Sequence, residues 1–208
     1  MIFVTGGTGL VGSHILLKLS QQSKEFKALK RTTSSLEVCK SVFAYYSAAE
    51  LFAKINWVDG DVNDIPSLEN AMDECEQVLH CAAVVSFHAV DADLLKKVNI
   101  EGTANVMNVA LELGIKKVGY ISSIATLGRN STDGMVDEEC YFKTTKLESN
   151  YALSKYFAEQ EVWRASQEGL DVVIVNPSVI LGPGDWNKGS SQIFQRLYKG
   201  LKFYTSGS

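Results

Sequence analysis

Two groups of residues in this chain have the types and spacing to do chemistry. The first is Tyr151-Ala-Leu-Ser-Lys155, with the paired Ser122-Ser123 earlier in the chain. On a helix, a tyrosine and a lysine four apart share one face. A lysine ammonium beside a phenol favours the phenolate and is expected to lower its pKa. The phenol can then exchange a proton with a substrate oxygen near neutral pH. A serine hydroxyl opposite can hydrogen-bond and polarise the same oxygen. The tyrosine–lysine spacing alone is cheap, because Tyr198-Lys-Gly-Leu-Lys202 matches it too. That copy holds Gly200 inside its turn and follows the last strand-like run. The first copy follows a strand end that carries two serines, and context therefore favours it.

The second group is Thr5-Gly6-Gly7-Thr8-Gly9-Leu10-Val11-Gly12. It can be read as G-x-G-x-x-G on Gly7, Gly9 and Gly12, or as G-x-x-G-x-x-G on Gly6, Gly9 and Gly12. It lies between a short apolar run and a helix-period segment. A dinucleotide site needs glycine here for a tight turn, for close approach of backbone to pyrophosphate, and for packing of helix on strand. Free N–H groups at the helix start would then face the anion. The next strand-like run ends in Ala28-Leu29-Lys30-Arg31, where NAD enzymes usually carry an acid for the ribose hydroxyls. A 2′-phosphate would pair with Arg31 through bidentate bonds, assisted by Lys30. The alternative is that both are solvated loop charges, since Thr32-Thr33-Ser34-Ser35 follows. Asp61, ending the third run, could accept from an adenine amino group.

These residues need elements to hold them. Short apolar runs recur at Ile2–Val4, Phe26–Leu29, Ile55–Val58, Val78–Cys81, Val118–Ile121 and Val172–Val175. They are apolar at consecutive positions, as strands buried on both faces should be. Helix-period segments lie between them: Leu10–Leu19, Leu36–Ala53, Ser67–Cys75, Asp91–Leu113 and Leu147–Gln167. Leu94, Val98, Val106, Val109, Ala110 and Leu113 read as one helical face. Pro66 suits a first helical turn with Asp64 near its cap, and Gly114 and Gly169 suit helix ends. This rhythm predicts an α/β fold, a doubly wound parallel sheet flanked by helices. A dinucleotide-binding domain with the catalytic residues is expected over 1–180, and the start of a second lobe over 181–208.

The chain has 208 residues, 20 Lys+Arg against 24 Asp+Glu, and a net charge of −4. No basic excess points to nucleic acid or to a membrane surface. No apolar run approaches the ~18 residues of a transmembrane helix, and no signal peptide is expected at Met1. Cys39, Cys75, Cys81 and Cys140 form no C-x-x-C pair and read as free thiols of a cytoplasmic protein. Together with His14, His80 and His88 they give no metal-site spacing. His80, beside a strand-like run, reads as a packed or hydrogen-bonded residue.

The chain resembles the extended short-chain dehydrogenase/reductases, the NAD-dependent epimerase/dehydratase family. The elements that carry the resemblance are Thr5–Gly12, Gly60-Asp61-Val62, His80-Cys-Ala82-Ala83, Asn99-Ile-Glu-Gly102-Thr103, Ser122-Ser123, Tyr151…Lys155 and Asn176-Pro177-Ser178…Gly182-Pro183. Tyr120–Gly128 and Val84–Phe87 are most similar to the dihydroflavonol-reductase-like branch. The resemblance implies a Rossmann fold and roles residue by residue. Ser123, five before Gly128, Tyr151 and Lys155 would be catalytic, and Lys155 would also bind the nicotinamide ribose. Gly6, Gly9 and Gly12, with the amides of Leu10 and Val11, would take the pyrophosphate. Arg31 would take the 2′-phosphate, Asp61 and Val62 would contact adenine, and Ala82 and Ala83 would line the cofactor. Pro177 and Ser178 would approach the nicotinamide. Asn99 would lie near the active site or support it.

The function this implies is hydride transfer between NADP, or alternatively NAD, and a carbonyl or secondary alcohol of a small molecule. One rival keeps the site but returns the hydride, as in a nucleotide-sugar epimerase or dehydratase with tightly bound NAD. Ile124 and Ala125 stand beside Ser123 where a dehydratase commonly has acids. The other rival is a non-catalytic NADP sensor, which would be expected to lack Tyr151 or Lys155. A homodimer through the two long helices is expected. Extended members continue beyond the length of this chain, so most of the smaller substrate lobe is expected to be missing, with Lys202–Thr205 as the beginning of a strand.

Overall fold

The computed structural model describes residues 1–128, 136–144, 148–187 and 189–200. Six strands form one parallel sheet: β1 (Ile2–Thr5), β2 (Phe26–Lys30), β3 (Asn56–Asp59), β4 (Gln77–His80), β5 (Lys117–Ile121) and β6 (Asp171–Val175). Their order is β3-β2-β1-β4-β5-β6, and every pairing is parallel. This is the doubly wound Rossmann order, which reverses direction between β1 and β4.

Two apolar layers cover the sheet. On one face Phe3, Val78, Val118 and Tyr120 pack with Leu68 and Met72 of α4 (Ile65–Met72), Val106 and Val109 of α6 (Gly102–Glu112), and Ala158 and Val162 of α7 (Asn150–Gln167). On the other, Val4 and Ala28 pack with Leu16 of α1 (Leu10–Gln21) and Val42 and Phe43 of α2 (Glu37–Tyr45). Alternate residues of one strand thus serve opposite layers. The edge strand β6 departs from burial on both faces: Val172 and Ile174 pack on the core, while Val173 and Val175 are about half exposed.

The expected segment Leu36–Ala53 is two helices, α2 and α3 (Ala49–Phe52). Ser47 adopts φ +55°, and the Ala48 and Ser47 amides donate back to the carbonyls of Phe43 and Ala44. That is a Schellman-type stop, made here with serine in the usual glycine position. The segment Asp91–Leu113 is also not uniform. A 3₁₀ turn at Ala89–Asp91 leads into α5 (Ala92–Leu95), then a π-helical stretch Lys96–Glu101, then α6. Its expected face holds at Val106, Val109 and Ala110, but Leu94 and Leu113 at the ends are exposed and Leu95 is buried. Pro66 does lie in the first turn of α4, which ends at Met72, before Cys75. Helix α7 starts at Asn150, where Ser149 Oγ caps it by accepting from the Ala152 amide at 3.1 Å. A last helix, α8, spans Gln192–Tyr198. Leu147, Lys202 and the expected strand at 202–205 lie outside the described residues.

Candidate active site

A cleft of about 1200 Å³ opens at the C-terminal ends of the strands, where the strand order reverses. That is the binding position of open α/β sheets. One wall is backbone. Gly6 has φ +70°, and a Cβ there would lie 2.5 Å from the Cys81 carbonyl carbon. A Cβ on Gly12 would lie 2.1 Å from the Gly6 carbonyl oxygen. Both positions exclude any side chain. Gly9 is the N-cap of α1 and has no side chain to bond the first-turn amides, and no acid stands in that turn. The amides of Leu10 and Val11 are therefore left for an anion. Gly6, Gly9, Leu10, Val11 and Gly12 all line the cleft. Gly7 does not; it is buried, facing Leu16. The structure thus favours the Gly6-Gly9-Gly12 reading.

The opposite wall is made of side chains. Ser123, Tyr151 and Lys155 line the same cleft, with Ala83, Pro177 and Ser178. Ser123 follows β5, and its Oγ accepts from the Ala125 amide at 3.1 Å, which leaves its proton for another partner. The Phe87 ring meets the Tyr151 ring edge-on, 5.6 Å between centroids. Burial raises the Tyr151 pKa, and a hydrogen bond with Ser123 partly opposes the rise. This corrects the expectation that Lys155 lowers it. The Lys155 ammonium is committed elsewhere, donating to Tyr120 Oη at 2.6 Å and to the Ile121 carbonyl at 2.9 Å. Burial pushes the Lys155 pKa down to about 8, against the attraction of Glu159.

Lys30, Arg31, Asp61, Val62 and Ala82 do not line this cleft; they follow or end the neighbouring strands. Lys30 is ion-paired with Asp59, its register partner on β3. Its charge is thereby shared, and Arg31 is the exposed cation at this strand end, with no ion pair among the described residues. Asp61 Oδ1 accepts from the Asn63 amide and side chain, at 2.9 and 3.1 Å. The Val62 side chain is buried against Gly102. The Ala82 amide donates to Thr5 Oγ1 at 3.1 Å. Asn99, in the π-helical stretch, bonds both backbone groups of Val84 and donates to Ser154 Oγ, so it braces the chain after β4 against α7.

Two residues that sequence reasoning does not single out support the side-chain wall. Glu159, one turn beyond Lys155, accepts from Ser122, Thr126 and Asn176 through Oε2 and from Trp163 through Oε1. It ties α7 to the exits of β5 and β6. Its position at Lys155 plus four was the available signal. Tyr120 is the second; its place two residues before Ser122 on an apolar strand gave none. The four cysteines carry no disulfide. Burial pushes the Cys81 thiol up to about 12, which makes it a poor nucleophile despite its place in the cleft. Among the described residues no cluster of three metal-ligating side chains occurs, and no helix is long and apolar enough to cross a membrane.

A dihydroflavonol 4-reductase-like protein of Synechocystis sp. is 37% identical over 183 residues, which is 88% of this chain and 50% of that protein. The UDP-glucose 4-epimerase of Vibrio cholerae is 31% identical, over 88% of this chain and 52% of that enzyme. The crystal structure of gox2253 superposes with a TM-score of 0.79 at 33% identity, covering 96% of this chain and 58% of that one. The chain thus spans about half the length of the curated relatives it matches. The model of the NAD dependent epimerase/dehydratase family matches residues 2–203. With its strand order, glycine turn and cleft, the chain belongs to that family.

Proposed function

We propose that the chain carries the dinucleotide-binding and proton-transferring part of an oxidoreductase, one that moves a hydride between NADP and a carbonyl or secondary alcohol of a small molecule. The observation that carries this reading is the meeting, in one cleft, of the Gly6–Gly12 turn with Ser123, Tyr151 and Lys155. The turn fits a pyrophosphate: Gly6 and Gly12 bar side chains, and the α1 amides have no cap. Gly6, Gly9, Leu10, Val11 and Gly12 would hold that group. Asp61 and Val62 would meet the adenine, Ala82 and Ala83 would line the cofactor, and Pro177 and Ser178 would approach the nicotinamide, which supplies the hydride chemistry when bound.

The chain's own residues handle the proton. Burial keeps the Tyr151 phenol protonated, which suits it to donate to a carbonyl oxygen during reduction. Ser123, oriented by the Ala125 amide, has its hydroxyl proton for the same oxygen. Lys155 places a positive charge behind this pair and would bond the nicotinamide ribose. The preference for NADP rests on Arg31, whose guanidinium is exposed at the end of β2 while Lys30 is occupied by Asp59. A homodimer through α6 and α7 belongs to the same proposal; Phe157 and Trp163 of α7 are nearly half exposed.

A second reading, epimerisation with return of the hydride, is favoured by the likeness to the Vibrio cholerae epimerase. The deciding experiment compares NADPH and NADH binding, then follows cofactor absorbance with a panel of carbonyl substrates. Tighter NADPH binding with net oxidation of the cofactor supports the proposal. Tighter NADH binding, or conversion of a substrate with no net cofactor change, contradicts it.

A further inference from the structure

We propose that Tyr120 is the positioning residue of Lys155: its phenol oxygen fixes the ammonium at the back of the cleft, so that one of the three N–H bonds is kept for the cleft. The proposal rests on the catalytic reading of Lys155 above. Its basis is a row of polar side chains across an otherwise apolar sheet face. In a parallel sheet, residues in register point to the same face. Thr5, His80 and Tyr120 are in register across β1, β4 and β5. One pleat earlier, the same face holds Phe3, Val78 and Val118, all fully buried. Thr5 and His80 are fully buried and Tyr120 is 1% exposed. Polar groups so buried are costly unless each finds a partner.

They do find partners, and the order of donors follows from counting protons. Thr5 Oγ1 accepts from the amides of Cys81 and Ala82, at 3.2 and 3.1 Å. Its own proton is left for His80 Nδ1, 2.7 Å away. His80 therefore carries its proton on Nε2, 3.0 Å from Thr103 Oγ1. Thr103 in turn hydrogen-bonds the Tyr120 hydroxyl, and the His80 ring stacks on the Tyr120 ring with centroids 5.5 Å apart. Tyr120 is thus held from its face and from its hydroxyl. Its oxygen accepts from Lys155 Nζ at 2.6 Å, and the Ile121 carbonyl accepts at 2.9 Å. An ammonium has three donors. With two tied to β5, the flexible lysine stem is pinned, and the third N–H is available at the cleft that Lys155 lines.

The titratable groups around Lys155 are Glu159 and Tyr151 on its own helix, His80 at the end of β4 and Cys81 just after it, and Tyr120 on β5. Glu159 favours the ammonium and burial opposes it. His80 is held neutral, its pKa pushed down to about 3 by burial and by Lys155. Burial also raises the Tyr120 pKa, so the phenol stays a neutral acceptor across the range in which Lys155 titrates.

The test is a pH titration of the 208-residue chain labelled at lysine Cε with carbon-13, with the Lys155 signal identified by its loss in Lys155→Met. Tyr120→Phe keeps the ring and its stack on His80 but removes the acceptor. The Lys155 midpoint should fall by about one pH unit, the size of one lost bond to a charged group. An unmoved midpoint in a folded variant overturns the proposal. A second measurement needs no substitution: the Tyr120 Cζ signal of tyrosine-labelled parent chain should shift through the Lys155 midpoint, and a flat response there also overturns it. Cofactor turnover on the same samples separates the two readings. If Tyr151→Phe turns over like the parent while Tyr120→Phe still moves the midpoint, the positioning stands and the catalytic reading falls.

Discussion

The two walls of the cleft are built on different principles. The wall at the start of α1 is backbone: Gly6 and Gly12 are defined by what they lack, and the groups they present are amides. The wall at α7 is side chain: Lys155 is held by Tyr120, while Asn99 and Glu159 bond Ser154 and Ser122, the neighbours of Lys155 and Ser123. Gly6 and Gly12 tolerate no added atom, so failures at these two positions should be all-or-none. The side-chain wall is a network of charged and neutral hydrogen bonds, so its failures should be graded and pH-dependent.

The largest expected effect is on the backbone wall. Gly12→Ala puts a methyl 2.1 Å from the Gly6 oxygen and 2.8 Å from Gly7 Cα, with only backbone to yield. We expect a loss of roughly 3 kcal/mol or more in stability, with dinucleotide binding abolished; thermal melts and binding titrations check both. Unchanged binding would mean that the turn is not the cradle. Next comes Glu159→Ala, which strips the acceptor from Ser122, Thr126 and Asn176 at once. Buried donors left unpaired should cost about 2–3 kcal/mol in urea unfolding. Glu159→Gln should cost less, because one oxygen remains. If alanine is as mild as glutamine, the network is not holding the wall.

Arg31→Ala should weaken NADPH by about 2 kcal/mol, the scale of bonds to a charged group, and leave NADH nearly unchanged. Equal weakening of both cofactors would remove Arg31 from phosphate recognition. A further effect is one of pH. His80 has a pKa near 3 in the folded chain against 6.5 for the free side chain. Between those values the unfolded chain holds one more proton, so stability rises with pH and is lost as pH falls below 6.5. The slope from this group is about 1.4 kcal/mol per pH unit. Urea melts at two pH values within the window should show a shallower slope in His80→Gln than in the parent. Identical slopes would place the acid sensitivity elsewhere.

The same contrast explains what was legible in the sequence. The glycine turn is local, so its spacing between a strand-like run and a helix-period segment marked the backbone wall, with Gly6 or Gly7 as its first glycine left open. Each strand could be located to within a residue or two from its run of consecutive apolar residues, the pattern of strands packed on both faces, although the edge strands β3 and β6 are only partly buried. The break at Ser47 escaped because a serine occupies a glycine's position in the turn. The π-helical stretch at Lys96–Glu101 carries no period that differs visibly from an α-helix over six residues. The support of the side-chain wall escaped for another reason: its contacts are long-range. Tyr120 meets Lys155 across 35 residues, and Ser122 meets Glu159 across 37. The fate of Lys30 was equally hidden, since Asp59 becomes its neighbour only through the pairing of β2 with β3. The direction of the Tyr151 shift was misjudged because the lysine's partners could not be seen.

The central claim is that Tyr151 exchanges the proton in a net reduction by NADPH. The direct measurement is steady-state cofactor oxidation by parent and Tyr151→Phe chains on a carbonyl substrate found in the panel, with NADPH affinity measured alongside. The account predicts turnover lower by at least ~100-fold, the usual loss for a general acid, with NADPH affinity unchanged. Near-parent turnover in the variant would contradict it.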